Sequence, residues 1–308
     1  MTIRLIPAVV IFAAAPLTGF CQDDKPAAAA AAPAEKRKLV MHRPETKGTK
    51  YEVATKVSVS RTIDFHMDDD VRPGGGGTID ASVEGTMEVT EVSPKAGNIT
   101  AYTFTIKKMT LSDAEGEDNG LEPGTVVTAK MSGKEPVFTV HGGEATGELK
   151  EGLGLVMPQM ADQDEPDTAI EPPGPVAPGD KWDQDKKKLA EDIKRTRDAE
   201  MDQEKSKASM SYKGVVTVGG LEADSLTLSN SIVFTKVKDL PEDAKLTSCE
   251  VIVNSTFVVP RDVKMTLPLS TKSVMESRVR YSGKQEGKEY EGDYKTNMSL
   301  TQKVTPVK

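Results

Sequence analysis

The sequence predicts a mainly β protein: duplicated antiparallel β-meanders forming a curved sheet, half-barrel or sandwich, with one or two short helices near a central joint. Three observations carry that reading. Long stretches alternate apolar and polar residues with a period of two, as half-buried strands do. Hydrophobic residues make up 37% and aromatics 5% of the 308 residues, below the roughly 45–50% apolar content of an average globular protein when glycine is included, so thin sheets and polar loops are expected. Finally, Pro172-Pro-Gly-Pro-Val-Ala-Pro-Gly-Asp-Lys-Trp182 carries four prolines and two glycines. It can continue neither a helix nor a central strand, so it reads as an extended joint with a turn at Pro178-Gly179.

Residues 1–21 have the three-part form of a secretory signal peptide: Arg4, the apolar run Leu5 to Leu17, then Thr18-Gly-Phe-Cys21. A run of 13 residues from 5 to 17 is too short to span a bilayer as a mature helix. Export to the periplasm or cell envelope is the expectation. Two processing routes are open at Cys21: a conventional cut after it, or lipid attachment to it. Leu17-Thr-Gly-Phe-Cys21 resembles a bacterial lipoprotein box, although Phe20 departs from that pattern. Residues 22–47 begin with an Ala- and Pro-rich tract and read as a low-complexity linker. Loss of Arg4 with the leader shifts the formal net charge from −8 to −9. An acidic exported chain argues against nucleic acid as a partner.

The first β-rich half is assigned to residues 48–171. Tyr51 to Phe65 alternates as one long strand, Met67 to Gly77 reads as a loop, and strands follow near 78–92, 99–110, 125–131 and 137–140. Between Glu144 and Met160 the period lengthens. Leu149, Leu153, Val156 and Met160 mark one face of a short helix ending before Pro158. After the joint at 172–182, the second half covers 183–308. Of the twenty residues from Lys186 to Lys205, thirteen are charged, which predicts a solvated surface helix with Leu189, Ile193 and Met201 as a narrow apolar stripe. Strands return near 209–218, 225–236, 246–259, 272–282 and 289–302. Ala81 to Val92 aligns with Ala208 to Val218, at an offset of 127 residues at the start of the pair, and each then turns through glycine into another alternating strand. That period is too long for a solenoid and fits a duplicated meander.

Gly48-Thr-Lys-Tyr51, Pro175-Val-Ala-Pro-Gly-Asp-Lys-Trp182 and Pro268-Leu-Ser270 resemble the opening, mid-chain and late motifs of a family of exported, planctomycete-like bacterial proteins of unknown function. The resemblance runs loosely from 48 to 300. It implies export and a β fold, and carries no activity.

Chemistry-bearing patterns are sparse. His42, His66 and His141 lack the spacing that puts two imidazoles on one metal. His66 with Asp68, Asp69 and Asp70, and the acidic run Asp162, Asp164, Glu165 and Asp167, offer hard-cation ligands without a complete motif. Solvated loops are the simpler reading of both. Gly74 to Gly77 lacks the ending of a phosphate loop, and no nucleophile elbow or Cys/His pair stands out. No catalytic, cofactor-binding or metal residue is therefore assigned. Cys249 alternates with Val251 and Val253, so it reads as a buried thiol. Trp182 reads as a packing anchor that pins the joint to a sheet. Two functions stay open. One is a non-enzymatic envelope or macromolecule-binding role with a protein or envelope component as partner. The other is a carrier of a lipid or other apolar ligand, for which thirteen methionines would supply adaptable surface.

Overall fold

The computed structural model describes residues 36–307, except 42, 68–69, 113–115, 117–119, 134, 161–169, 239, 242, 263–264 and 286–287. The leader, Cys21, the Ala-rich tract, His42, Asp68, Asp69 and the acidic run from Asp162 to Asp167 lie outside the described residues.

The first run of strands comprises β1 (Lys50–Met67), β2 (Asp70–Val92), β3 (Ile99–Ser112), β4 (Val126–Ser132), β5 (Glu135–Val140) and the two-residue β6 (Gly143–Glu144). Helix α1 (Gly147–Val156) follows. After the joint come β7 (Lys181–Asp183), helix α2 (Lys186–Arg197) and the short β8 (Glu200–Met201). The second run is β9 (Lys207–Val218), β10 (Leu221–Lys236), β11 (Lys245–Pro260), β12 (Ser270–Gln285) and β13 (Lys288–Pro306). Thirteen strands form one curved antiparallel sheet that does not close into a barrel. Its order is β6-β5-β4-β3-β2-β1-β13-β12-β11-β10-β9-β7, with β8 paired to β10. Each meander pairs sequential neighbours, and the two meet where β1 lies beside β13, from Tyr51 opposite Pro306 to Met67 opposite Tyr290.

Strand alternation decides which face is inside. Tyr51, Val53, Thr55, Val57 and Val59 of β1 are buried, as are Cys249, Val251, Val253, Ser255, Phe257 and Val259 of β11. The intervening side chains are more exposed and carry cross-strand ion pairs such as Lys107 with Glu52 (2.6 Å) and Lys295 with Asp64 (3.3 Å). Two glycines adapt the inner face to aromatic neighbours. A Cβ on Gly292 would stand 2.2 Å from the ring of Tyr281, and one on Gly283 would stand 2.5 Å from the Tyr290 hydroxyl. The rings of Tyr281 and Tyr290 take the space those Cβ atoms would need, and they meet edge to face at 6.3 Å.

The glycine run expected to be a loop is instead strand. β2 begins at Asp70 and its residues through Gly77 pair with β1, with a register shift between Ile63 and Asp64 that absorbs one extra residue. Pro73 is tolerated because β3 pairs with β2 only from Asp80 onward, so that stretch is an edge on its other side. α2 also differs from a purely solvated helix. Its Ile193 is buried and its Leu189 packs against the core.

The joint folds as its composition dictates. The Asp180 amide donates to the Ala177 carbonyl (3.0 Å) across Pro178 and Gly179, and Gly179 has φ of +95°, the pairing of a type II turn. Trp182 sits in β7 opposite Met210, is 7% exposed, and donates its indole N–H to the Ile170 carbonyl at 3.1 Å. Among the described residues no helix is long and apolar enough to cross a membrane.

Trp182→Ala is expected to lower unfolding stability by about 3–5 kcal/mol, as deletion of a buried tryptophan does. It should also open the 170–182 segment to proteases. A urea titration followed by circular dichroism, beside limited proteolysis, checks both; an unchanged midpoint and cleavage pattern would rule out the anchoring role.

Candidate functional site

A cavity of about 400 Å³ lies between the inner face of the sheet and the segment that crosses it. That is near the lower end of the roughly 300–1,000 Å³ range of small-molecule sites. Its floor comes from β1 and from β10 through β13. Its cover comes from α2, the residues after α1, and the chain near Met41 to Glu45. Five of the thirteen methionines line it: Met41, Met157, Met160, Met275 and Met298. Unbranched thioether side chains reshape around an occupant at low cost.

Two charged devices hold the cover at the β11 end. Arg43 donates to the carbonyls of Pro260, Asp262 (3.2 Å) and Met265 (3.1 Å), clamping the N-terminal segment over the end of β11. Burial lowers the pKa of its guanidinium, while the charges of Asp224 and Asp262 oppose that shift. Glu45, itself buried, accepts from the hydroxyls of Tyr51 (2.7 Å) and Thr266. Burial pushes the Tyr51 phenol above its ordinary value. Nearby, Asp224 is 5% exposed, accepts from Tyr212 (2.9 Å) and faces Arg37 (3.5 Å) and Arg261 (4.0 Å). That carboxylate joins the N-terminal segment to β9 and to the end of β11.

The floor is mixed in polarity. Inner-facing Thr55, Thr271 and Gln302 lie in one row across β1, β13 and β12, and the Gln302 side-chain amide donates to the Thr55 hydroxyl at 3.2 Å. Gln184 donates to Asn230 at 2.7 Å. Six buried side-chain atoms lack a hydrogen-bond partner among the described residues, and four belong to residues that line this cavity: Nε of Arg43 and of Arg197, Oε1 of Gln184 and Oγ1 of Thr271. Buried polar atoms are almost always satisfied by protein or ordered solvent, so a concentration of orphans marks a place where something else completes the bonding.

Sequence reasoning did not reach these residues. Arg197 follows Leu189 and Ile193 at intervals of four on the stripe that turns inward, a charged group where an apolar one belongs. Thr271 and Gln302 occupy inward positions of otherwise alternating strands. Both signals were present as breaks in periodicity. Trp182 lies in β7, outside the cavity lining. Cys249 is a free thiol, 1% exposed, and burial pushes its pKa up to about 12. His66 lies in β1 and His141 in the turn between β5 and β6. Among the described residues no group of three or more His, Cys, Asp or Glu side chains could hold a metal ion.

No family model and no curated protein matches the chain. Among solved structures, one described as "Lipid-protein interactions in lipovitellin" has a TM-score of 0.36 and 8% identity, covering 85% of this chain and 26% of that one. The chain thus spans about a quarter of the lipovitellin chain. An outer membrane channel from Pseudomonas putida F1 gives a TM-score of 0.19 at 6% identity over 86% of this chain and 98% of that one. Pseudomonas aeruginosa OpdQ gives 0.19 at 8% over 84% and 98%. Scores this low carry no argument about function.

A thiol protonated at pH 8 and shielded by the sheet should resist disulfide reagents. In protein beginning after Cys21, modification of Cys249 is expected to follow global unfolding in urea; a fast native-state reaction would contradict its placement on the inner face.

Proposed function

We propose that the protein is an exported, non-enzymatic carrier of an apolar or amphipathic small molecule in the periplasm or cell envelope, held between the curved sheet and α2. The cavity beneath α2 is the observation that carries this reading. An apolar space lined by Met275, Met298, Leu189 and Ile193, with a few convergent polar groups, is the usual form of a small-molecule site. The cavity favours the carrier over the envelope-structural or macromolecule-binding role that the sequence placed first. The leader-like residues 1–21 support export, and Cys21 leaves room for a lipid tether.

The exported protein should carry extra mass in native mass spectrometry that is lost on denaturation and matches a lipid. Met275→Trp, which puts an indole into the space, should weaken binding of the neutral fluorescent probe N-phenyl-1-naphthylamine by about tenfold or more, while overpacking costs about 1–3 kcal/mol of stability. A bare mass together with probe binding indifferent to Met275→Trp would overturn the carrier reading.

A further inference from the structure

We infer that the ligand is an anionic single-chain amphiphile, whose carboxylate or phosphate head pairs with Arg197 while its chain lies along the methionine-rich floor. This rests on the carrier reading and specifies the ligand class of the same site.

Arg197 ends α2, the helix that covers the cavity, and lines the space together with Phe234 of β10. Its Nε is buried without a hydrogen-bond partner. No ion pair to Arg197 occurs among the described residues, and burial is the sole influence on its pKa, which it lowers. The other charges nearby are spoken for. Asp192, which also lines the cavity, is held by Arg195, and Asp198 faces Lys238 at 3.8 Å. The C-terminal end of the helix offers partial negative charge only.

A guanidinium stays protonated at any physiological pH, so a partly desolvated one without a counter-charge is a cost to the fold. Arg43 shows the contrast within the same cavity, since three backbone carbonyls occupy its guanidinium. Arg197 has no such set. An anionic oxygen delivered from inside the cavity would supply both the missing acceptor and the missing charge, and a guanidinium fork is suited to a carboxylate or phosphate. Much of the remaining lining suits a chain: Phe234, Ile232, Val251, Met275 and Met298 are apolar and buried, with Asn230 and Ser273 as polar interruptions.

The test displaces N-phenyl-1-naphthylamine from the full-length exported protein with dodecanoate, dodecyl phosphate and 1-dodecanol. The wild type should prefer at least one of the two anions over the alcohol by about tenfold or more, the scale of a hydrogen bond to a charged group. Arg197→Met should abolish that preference and leave the alcohol within about twofold of wild type, because the lost term is electrostatic. Arg197→Lys should retain part of it. Arg195→Met, removing the neighbouring cation that faces Asp192, should leave it intact. The better of the two anions identifies the head group. Equal displacement by acid and alcohol in the wild type, or a preference that survives Arg197→Met, overturns the role of Arg197 and leaves the cavity reading standing. Failure of all three compounds and of the probe removes both.

Discussion

The pairing of β1 with β13 sets the rest of the structure. These strands, which open and close the sheet in chain order, lie side by side in its middle, hydrogen-bonded along almost their whole length. The outer strands β6 and β7 are then consecutive in the chain but stand at opposite margins of the sheet. The polypeptide between them has to travel the width of the sheet, and crossing the inner face is the route that buries apolar side chains. α1, the chain after it and the proline-rich joint are that crossing, and α2 follows β7 to line the same cavity. The joint suits the task because it needs no ladder partners of its own.

Holding a long segment over a sheet requires fastenings at both ends of its path, and these are polar. The Tyr102 hydroxyl donates to the Pro158 carbonyl (2.8 Å) just beyond α1, and Arg61 reaches Glu151 of α1 at 2.7 Å. Val176 exchanges backbone hydrogen bonds with Arg37, which ties the joint to the N-terminal segment. Arg43 and Glu45 then tie that segment to the far ends of β11 and β1. Each fastening is a handful of hydrogen bonds, and an ordinary buried one contributes a modest net of about 0.5–1.5 kcal/mol, while the Nε atoms of Arg37, Arg43 and Arg61 stay unpaired among the described residues. Their value lies in position: they fix the cover relative to the floor.

The fold class was legible because antiparallel strands with one buried face write their period directly into the sequence. Every long strand but β2, which starts eight residues earlier than expected, fell close to its expected limits, and the turn at Pro178-Gly179 followed from residue chemistry alone. What the pattern could not give was the partner of each strand. The β1–β13 pairing joins residues about 250 apart, and no local signal encodes a contact of that separation. The glycine run was misread for the same reason. A neighbour strand supplied hydrogen bonds that composition does not report. Arg197 was hidden differently, inside a helix where thirteen of twenty residues from 186 to 205 are charged, so one inward-facing charge did not stand out.

The two meanders treat their inner faces differently. Beneath α1 the space is filled: Met87, Tyr102, Phe104, Leu153 and Val156 are wholly buried, and α1 comes close enough that a Cβ on Gly152 would stand 2.6 Å from Leu111. On the inner face of the second run, inward positions include Asn230, Ser255, Thr271, Ser277 and Thr296, all buried. Side chains this small leave volume that Leu or Phe would occupy, and the polarity has to be satisfied one group at a time. A sheet selected only for stability gains nothing from that exchange, because packed apolar side chains hold a core better than half-satisfied polar ones. The half that forgoes dense packing is also the half that supplies most of the cavity floor, which is the arrangement the proposed carrier role requires.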